Sequence, residues 1–152
     1  MFYKNRLIEK QNILSALQAE SHVQKMKQFI QHGRISTFEH CSRVADLSYK
    51  IDRHLSLKSD LKVLLTGAML HDFFLYDWHA YDNGVHRLHG FSHAAAACRN
   101  AREYIGIDDR TGHVILSHMW PLNITRIPRS REAWIVCIAD KIVSARETLF
   151  DR

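Results

Sequence analysis

The chain has 152 residues, 46% of them hydrophobic and 24% charged, with a formal charge of +5. That length fits one domain, because single cores reach roughly 100 to 200 residues before splitting, and the composition excludes a disordered chain. No apolar run approaches the ~18 residues of a membrane span, and the polar residues 1–10 lack the apolar stretch of a signal peptide, so a cytoplasmic protein with no membrane partner is expected.

With only 2 prolines and 6 glycines, and no clear alternation of apolar and polar residues, the chain reads as helices almost throughout. The expected class is all-α, a single domain over residues 1–152 with about six helices. Residues 7–31 carry Ile13, Leu14, Leu17, Met26, Phe29 and Ile30 at helical spacing, which predicts a first amphipathic helix ended by Gly33. Ser36 followed by Glu39 fits a capping box, in which each side chain satisfies the other's free backbone N–H, and opens a second helix reaching residue 54. Ser59 is placed to cap a third helix ending at His71, and Ser92 a fourth over residues 93–104. A shorter fifth helix is expected over residues 110–118 and a longer sixth over 132–150. Residues 73–91 form a long connection rich in aromatics and histidines, and loops of that length usually have a function.

Three cysteines, Cys41, Cys98 and Cys137, lack metal-ligand spacing and are expected as reduced core thiols. The positive charge fits an anionic partner. No segment gathers cations as a nucleic-acid-binding tail does, and no RNA- or DNA-binding signature is present. A small phosphorylated substrate is therefore the expected partner and nucleic acid is not, with association into a homodimer left open.

The compositional anomaly is histidine, with 11 in the chain. His40 shares a helical face with Val44, Leu47 and Ile51, so its imidazole points at the core. The apolar face of the third helix (Leu61, Leu64, Leu65, Ala68) runs into His71 and Asp72. His93 lies on a face with Ala97 and Tyr104, Val114 leads to His118, and Asp140 sits among Val136, Cys137 and Val143. A lone buried histidine is ordinarily satisfied by a backbone group. Four imidazoles and two carboxylates aimed inward from five helices would carry a large desolvation cost unless metal ions neutralised and coordinated them.

The order His, His-Asp, His, His, Asp on an all-helical chain resembles the HD superfamily of metal-dependent phosphohydrolases over residues 36–146, with the N-terminal helix preceding that core. Phe38-Glu39-His40-Cys41-Ser42-Arg43-Val44-Ala45 resembles the family's first histidine with its trailing Arg-Val, and Ala68-Met69-Leu70-His71-Asp72 its name-giving doublet. The spacing of His93, His118, Ala139-Asp140 and Arg146 is similar to that of bacterial HD proteins resembling symmetrical diadenosine tetraphosphate hydrolases. The resemblance implies an HD-type helical bundle in which His40, His71, Asp72 and Asp140 hold one metal, His93 and His118 hold a second, and Asp72 bridges. It implies two divalent transition metal ions, roughly 3.5 to 4 Å apart, that polarise a phosphoryl oxygen and activate water for in-line attack. The bond cleaved would be a phosphate ester or anhydride of a small nucleotide-like molecule. Mixed nitrogen and oxygen ligation favours iron or manganese, with zinc, cobalt or nickel also accommodated. Two other activities fit the same ligands. One is oxidation by a di-iron pair, as in some relatives, and the other is a regulatory module that holds a nucleotide without turnover.

His89 competes with His93 as a ligand, and His93 is preferred because His89 precedes the predicted helix; His89 is then a candidate substrate contact. His71 and Asp72 are expected at the catalytic centre together with Lys141 and Arg146. Lys141, Arg146, Arg126 and Arg129 are candidates for phosphate contacts, the last two in a basic stretch that includes Arg131, since arginine forks match phosphate oxygens. The lysine that often follows the family's doublet three positions on is Leu75 here. Tyr76, Trp78, His79, Tyr81 and His86 are candidates for stacking on a base or protonating a leaving group. Trp120 and Pro121 are candidates for the pocket rim, and Arg43 for orienting a ligand carboxylate.

Overall fold

The computed structural model describes residues 2–77 and 89–150. Among them are α1 (Phe2–Ala19), α2 (Ser21–Gln24), a 3-10 turn (Lys25–Gln28), an antiparallel hairpin of β1 (Ile30–His32) and β2 (Ile35–Ser36), then α3 (Thr37–His54), α4 (Leu61–Leu70), α5 (His89–Tyr104), α6 (Asp109–Ser117) and α7 (Arg131–Phe150). The class is all-α, as the sequence predicts. No helix among the described residues is long and apolar enough to cross a membrane.

The predicted first helix is broken. The chain leaves α1 at Ala19, resumes helix at Ser21 and then turns into the hairpin, so Ile30 and Gln31 are strand. Gly33, expected as a helix terminator, has φ 56 and lies in the turn between the strands. A tight hairpin turn requires a positive φ, which glycine adopts at little cost. The apolar spacing over residues 7–31 carries no signal of the break, because neither Gly nor Pro stands at it.

Ser36 closes β2 and caps α3. Its hydroxyl accepts the Glu39 amide at 3.2 Å while the Glu39 carboxylate accepts the Ser36 amide at 3.0 Å, which is the predicted capping box. Two other predicted caps are displaced. Asp60, not Ser59, accepts the free amides of α4, and the Ser59 amide donates to Asp52 instead. Helix α5 already runs from His89, which leaves Ser92 inside it rather than at its start.

Helix α4 is the axis of the fold, packed against α1, α3, α5, α6 and α7. The sequence marks one apolar face on it, but every residue from Val63 to Leu70 is buried, as befits a helix that is apolar all round. Leu61, Leu64, Leu65 and Ala68 pack with Val44 and Tyr49 of α3 and Val136 and Val143 of α7. Met69 and Leu70 pack with Leu17, Met26, Phe73 and Ile115.

Helix directions bring the polar residues together. Arg131 at the start of α7 bonds the Leu57 carbonyl just after α3, while Glu147 near the end of α7 meets His40 in the first turns of α3, so these helices are antiparallel. Helices α4 and α6 run the same way: Asp60 and Arg110 pair at 2.9 Å at their starts, and the His71 and His118 rings lie 4.8 Å apart at their ends. The C-terminal ends of α4 and α6 therefore point at one place.

Candidate metal centre

Six buried side chains meet there: His40, His71, Asp72, His93, His118 and Asp140. The two oxygens of Asp72 divide the cluster. Oδ2 faces His71 Nε2 at 3.4 Å and His40 Nε2 at 3.7 Å, and these two nitrogens lie 3.5 and 3.2 Å from Asp140 Oδ1. Oδ1 faces His93 Nε2 at 3.2 Å and His118 Nε2 at 3.4 Å, with those nitrogens 3.0 Å from each other. Donor pairs sharing one ion with bonds of ~2.0 to 2.2 Å lie about 2.8 to 3.6 Å apart in tetrahedral or octahedral geometry. The observed separations are close to those edge lengths.

Local structure fixes which nitrogen each ring presents. His71 and His118 are the C-cap residues of α4 and α6. Each donates its Nδ1–H to the carbonyl three residues back, Ala68 and Ile115 respectively, at 2.7 Å. Those carbonyls belong to the last turn, where backbone acceptors lack intrahelical partners. One bond thus satisfies the helix end and turns Nε2 toward the cluster, where the neutral ring presents its lone pair. His40 reaches the same state through a carboxylate, donating Nδ1–H to Glu147 Oε2 at 2.8 Å.

The carboxylate oxygens are oriented as well. Gln31 donates its amide to Asp72 Oδ2 at 2.6 Å, and Ser144 donates its hydroxyl to Asp140 Oδ1 at 3.2 Å. Gln31 comes from β1, so the hairpin that interrupts the N-terminal helix supplies a donor to the central carboxylate.

Burial and charge compete at every member of the cluster. Burial alone would lower the His40 imidazole, but its bonds to Asp140 and Glu147 raise it to about 10. His71 is likewise held well above its ordinary value against burial, by the Cys41 sulfur and by Asp72 and Asp140. Burial prevails at His118, which is lowered by desolvation and by the neighbouring His71 and His93 charges despite its bond to Asp72. Asp72 and Asp140 stay well below the usual carboxylate range despite burial, Asp72 through the His71 charge and Asp140 through its bonds to His40 and His71.

These residues fit cations. His71 Nε2 and Asp72 Oδ1 are buried and have no hydrogen-bond partner among the described residues, although imidazole nitrogens lie beside that oxygen. A buried polar atom without a hydrogen-bond partner is costly. The Nε2 atoms of His93 and His118 lie 3.0 Å apart, a hydrogen bond in which His93 donates when His118 is neutral and protonated at Nδ1. A cation in each half of the cluster would be met by these nitrogens, once deprotonated, and by an oxygen of Asp72. The C-terminal ends of α4 and α6 add partial negative charge, each contributing on the order of 0.3 to 1 kcal/mol for a nearby cation.

Other residues singled out by sequence fall elsewhere. Lys141 donates to the His118 carbonyl at 2.9 Å and to the Cys137 carbonyl at 3.3 Å, so it ties α7 to the end of α6 instead of extending free toward a substrate. Arg146 is exposed, on a different face of α7 from Asp140. Arg126 and Arg129 are exposed and lie near His113 of α6, whose ring accepts the Arg129 amide at 2.9 Å. Arg43 orients a carboxylate as expected, but that of Glu147 at 3.2 Å. Tyr76 packs on Phe74, whose ring stands edge-on to His93. Trp120 is half-buried against Trp134, and Pro121 is exposed. The expectation that His89 precedes its helix is corrected, since α5 opens on it. The side chain of His89 lies outside the described residues, as do Trp78, His79, Tyr81 and His86. Cys41, Cys98 and Cys137 are buried free thiols.

Sequence reasoning missed Gln31, His32, Ser144 and Glu147. His32 is half-buried, and with His40 and Glu147 it forms a second group whose donor atoms all lie within 4.8 Å of one another. A signal for Glu147 was present, because Asp140, Val143 and Glu147 continue one helical face. Gln31 carried none, since its strand reads as helix.

A family model described as HD domain matches residues 37–145. No curated protein and no solved structure matched the chain.

Proposed function

The chain belongs to the HD domain family, whose members are generally metal-dependent phosphohydrolases, and from that premise we propose that it hydrolyses a phosphate ester or anhydride of a small nucleotide-like molecule at a two-ion centre. The observation that carries this reading is the division of Asp72. One oxygen faces the pair His40 and His71, and the other faces the pair His93 and His118, which supports a reading in which this carboxylate would join two cations. His40, His71, Asp140 and Asp72 Oδ2 would hold one ion; His93, His118 and Asp72 Oδ1 would hold the other. Iron or manganese suits this donor set best, and zinc, cobalt or nickel is accommodated.

When bound, such ions supply Lewis acidity toward phosphoryl oxygens and a nucleophile derived from water at neutral pH. The residues of this chain supply the frame. His71 and His118 are locked by backbone carbonyls and His40 by Glu147, so their lone pairs need little reorganisation to receive a cation. Gln31 and Ser144 hold the carboxylates by donating to the oxygens that face His40 and His71. Lys141 holds the end of α6, and with it His118, against α7. The formal charge of +5 favours approach of an anionic substrate.

The test is a panel of phosphomonoesters, phosphodiesters and dinucleoside polyphosphates, symmetrical diadenosine tetraphosphate among them, with manganese, iron(II), cobalt and zinc. Metal-dependent phosphate or nucleotide release is expected, and it should disappear in His71→Ala and Asp72→Ala variants that remain helical. Oxygen-dependent turnover with iron(II) and no hydrolysis of any panel member would replace this reading with an oxidase. Nucleotide binding without any turnover would replace it with a regulatory module.

A further inference from the structure

Among the described residues, Glu147 is the one buried carboxylate at this end of the fold outside the six-residue cluster, with 1% of its surface exposed. A carboxylate in that position is expensive unless both oxygens are matched. Oε2 lies 2.8 Å from His40 Nδ1 and Oε1 lies 3.2 Å from Arg43 Nη1. Two turns earlier on the same face of α7, Asp140 Oδ1 lies 3.2 Å from His40 Nε2. One helix therefore places a carboxylate at each nitrogen of a single imidazole. Arg43 follows His40 by about one turn of α3 and closes the arrangement by holding the outer oxygen of Glu147.

This sets His40 apart from His71 and His118, whose Nδ1 protons go to neutral carbonyls. An ionised acceptor makes a stronger hydrogen bond and leaves the opposite nitrogen more basic. We propose that Glu147, held by Arg43, is a positioning residue that fixes the tautomer of His40 and strengthens it as a donor, making the half of the centre built on His40, His71 and Asp140 the higher-affinity half. The proposal rests on the two-ion reading of the cluster.

The test is zinc binding by competition with a chelator of known affinity, on the full chain, for wild type and the variants Glu147→Gln, Glu147→Asp and Arg43→Met. The ring tautomer is read from long-range nitrogen-proton correlation spectra of the zinc-loaded protein. Wild type should show His40 protonated at Nδ1, and Glu147→Gln should bind its first zinc about 10- to 100-fold more weakly. Arg43→Met, whose side chain is 43% exposed and whose loss leaves Glu147 in place, should fold and bind several-fold more weakly. Should Glu147→Gln fail to fold, Glu147→Asp and Arg43→Met carry the comparison. Wild-type zinc affinity and an unchanged His40 tautomer in the folded variants, even with lowered metal-free melting temperatures, would make Glu147 a merely structural group and overturn the proposal. A wild-type protein that binds no metal would instead overturn the two-ion reading, and the proposal with it.

Discussion

Gly67 of α4 and Val114 of α6 are in contact one turn before His71 and His118. A Cβ on Gly67 would lie 2.5 Å from Val114 Cγ1 and 2.9 Å from its Cβ, closer than real side chains approach. The missing side chain lets the two parallel helices close up, and that spacing carries forward to the rings at their ends.

Gly67→Ala should therefore push α4 from α6, costing about 1 to 3 kcal/mol as an overpacked core does. Val114→Ala made alongside it opens the space again, so the pair should show coupling of about 0.5 to 3 kcal/mol in a double-mutant cycle. Denaturant melts of the four proteins measure this. Additive effects would mean that the contact does not set the helix spacing.

The two halves of the centre are unequal in donors. Among the described residues one half has His40, His71, Asp140 and an oxygen of Asp72, and the other has His93, His118 and the second oxygen of Asp72. Metal titration followed by calorimetry should give two phases. His118→Ala should remove the weaker phase and leave the first ion within a few-fold of its wild-type affinity, whereas Asp140→Ala should remove the tighter one.

The metal-free protein should respond to pH in a direction opposite to its affinity for metal. His40 is raised from 6.5 to about 10, so the stability contributed by its imidazolium is fully present below pH 6.5 and is lost as pH rises through about 10. His71, also raised, acts in the same sense, while His118 is lowered and does not. A ligating nitrogen must shed that proton. Melting temperatures of chelator-treated protein should fall between pH 6.5 and 10 as metal affinity climbs. Calorimetry in buffers of different ionisation enthalpy should register protons released on loading.

Gln31→Leu keeps the volume and removes the donor at 2.6 Å from Asp72 Oδ2. Leaving that buried oxygen without its partner should cost about 1 to 3 kcal/mol in the metal-free protein. The penalty should shrink when saturating metal is present, because a cation then faces the same oxygen. Equal losses with and without metal would show that Gln31 matters only for seating the hairpin.

Much of the centre was legible because ligands continue apolar faces. His40 stands in register with Val44, and the stripe of α4 runs into His71 and Asp72, so helical periodicity alone aims them inward. Their supports were less visible. Glu147 lies on the same face as Asp140, yet Arg146 beside it matches the family pattern and reads as the functional group. Gln31 lies in a hairpin within a segment of helical spacing, and only the direction of the chain after Gly33 reveals that it turns back. Lys141 looks like a phosphate ligand from its neighbour Asp140, but a helix end lies within reach and takes it. In each case the side chain's partner comes from a distant part of the chain, which local pattern does not encode.

The bond between His40 and Glu147 joins positions 107 residues apart. Closing so long a segment costs chain entropy before the contact can repay it. A chain emerging from the ribosome would carry His40, His71, Asp72, His93 and His118 well before Asp140 and Glu147 exist to complete their surroundings. Tight retention of an ion would thereby wait until α7 has been made. The same topology works in reverse, so that peeling α7 from α3 and α4 would strip Asp140 and Glu147 from His40 and uncover the core that Val136 and Val143 share with α4.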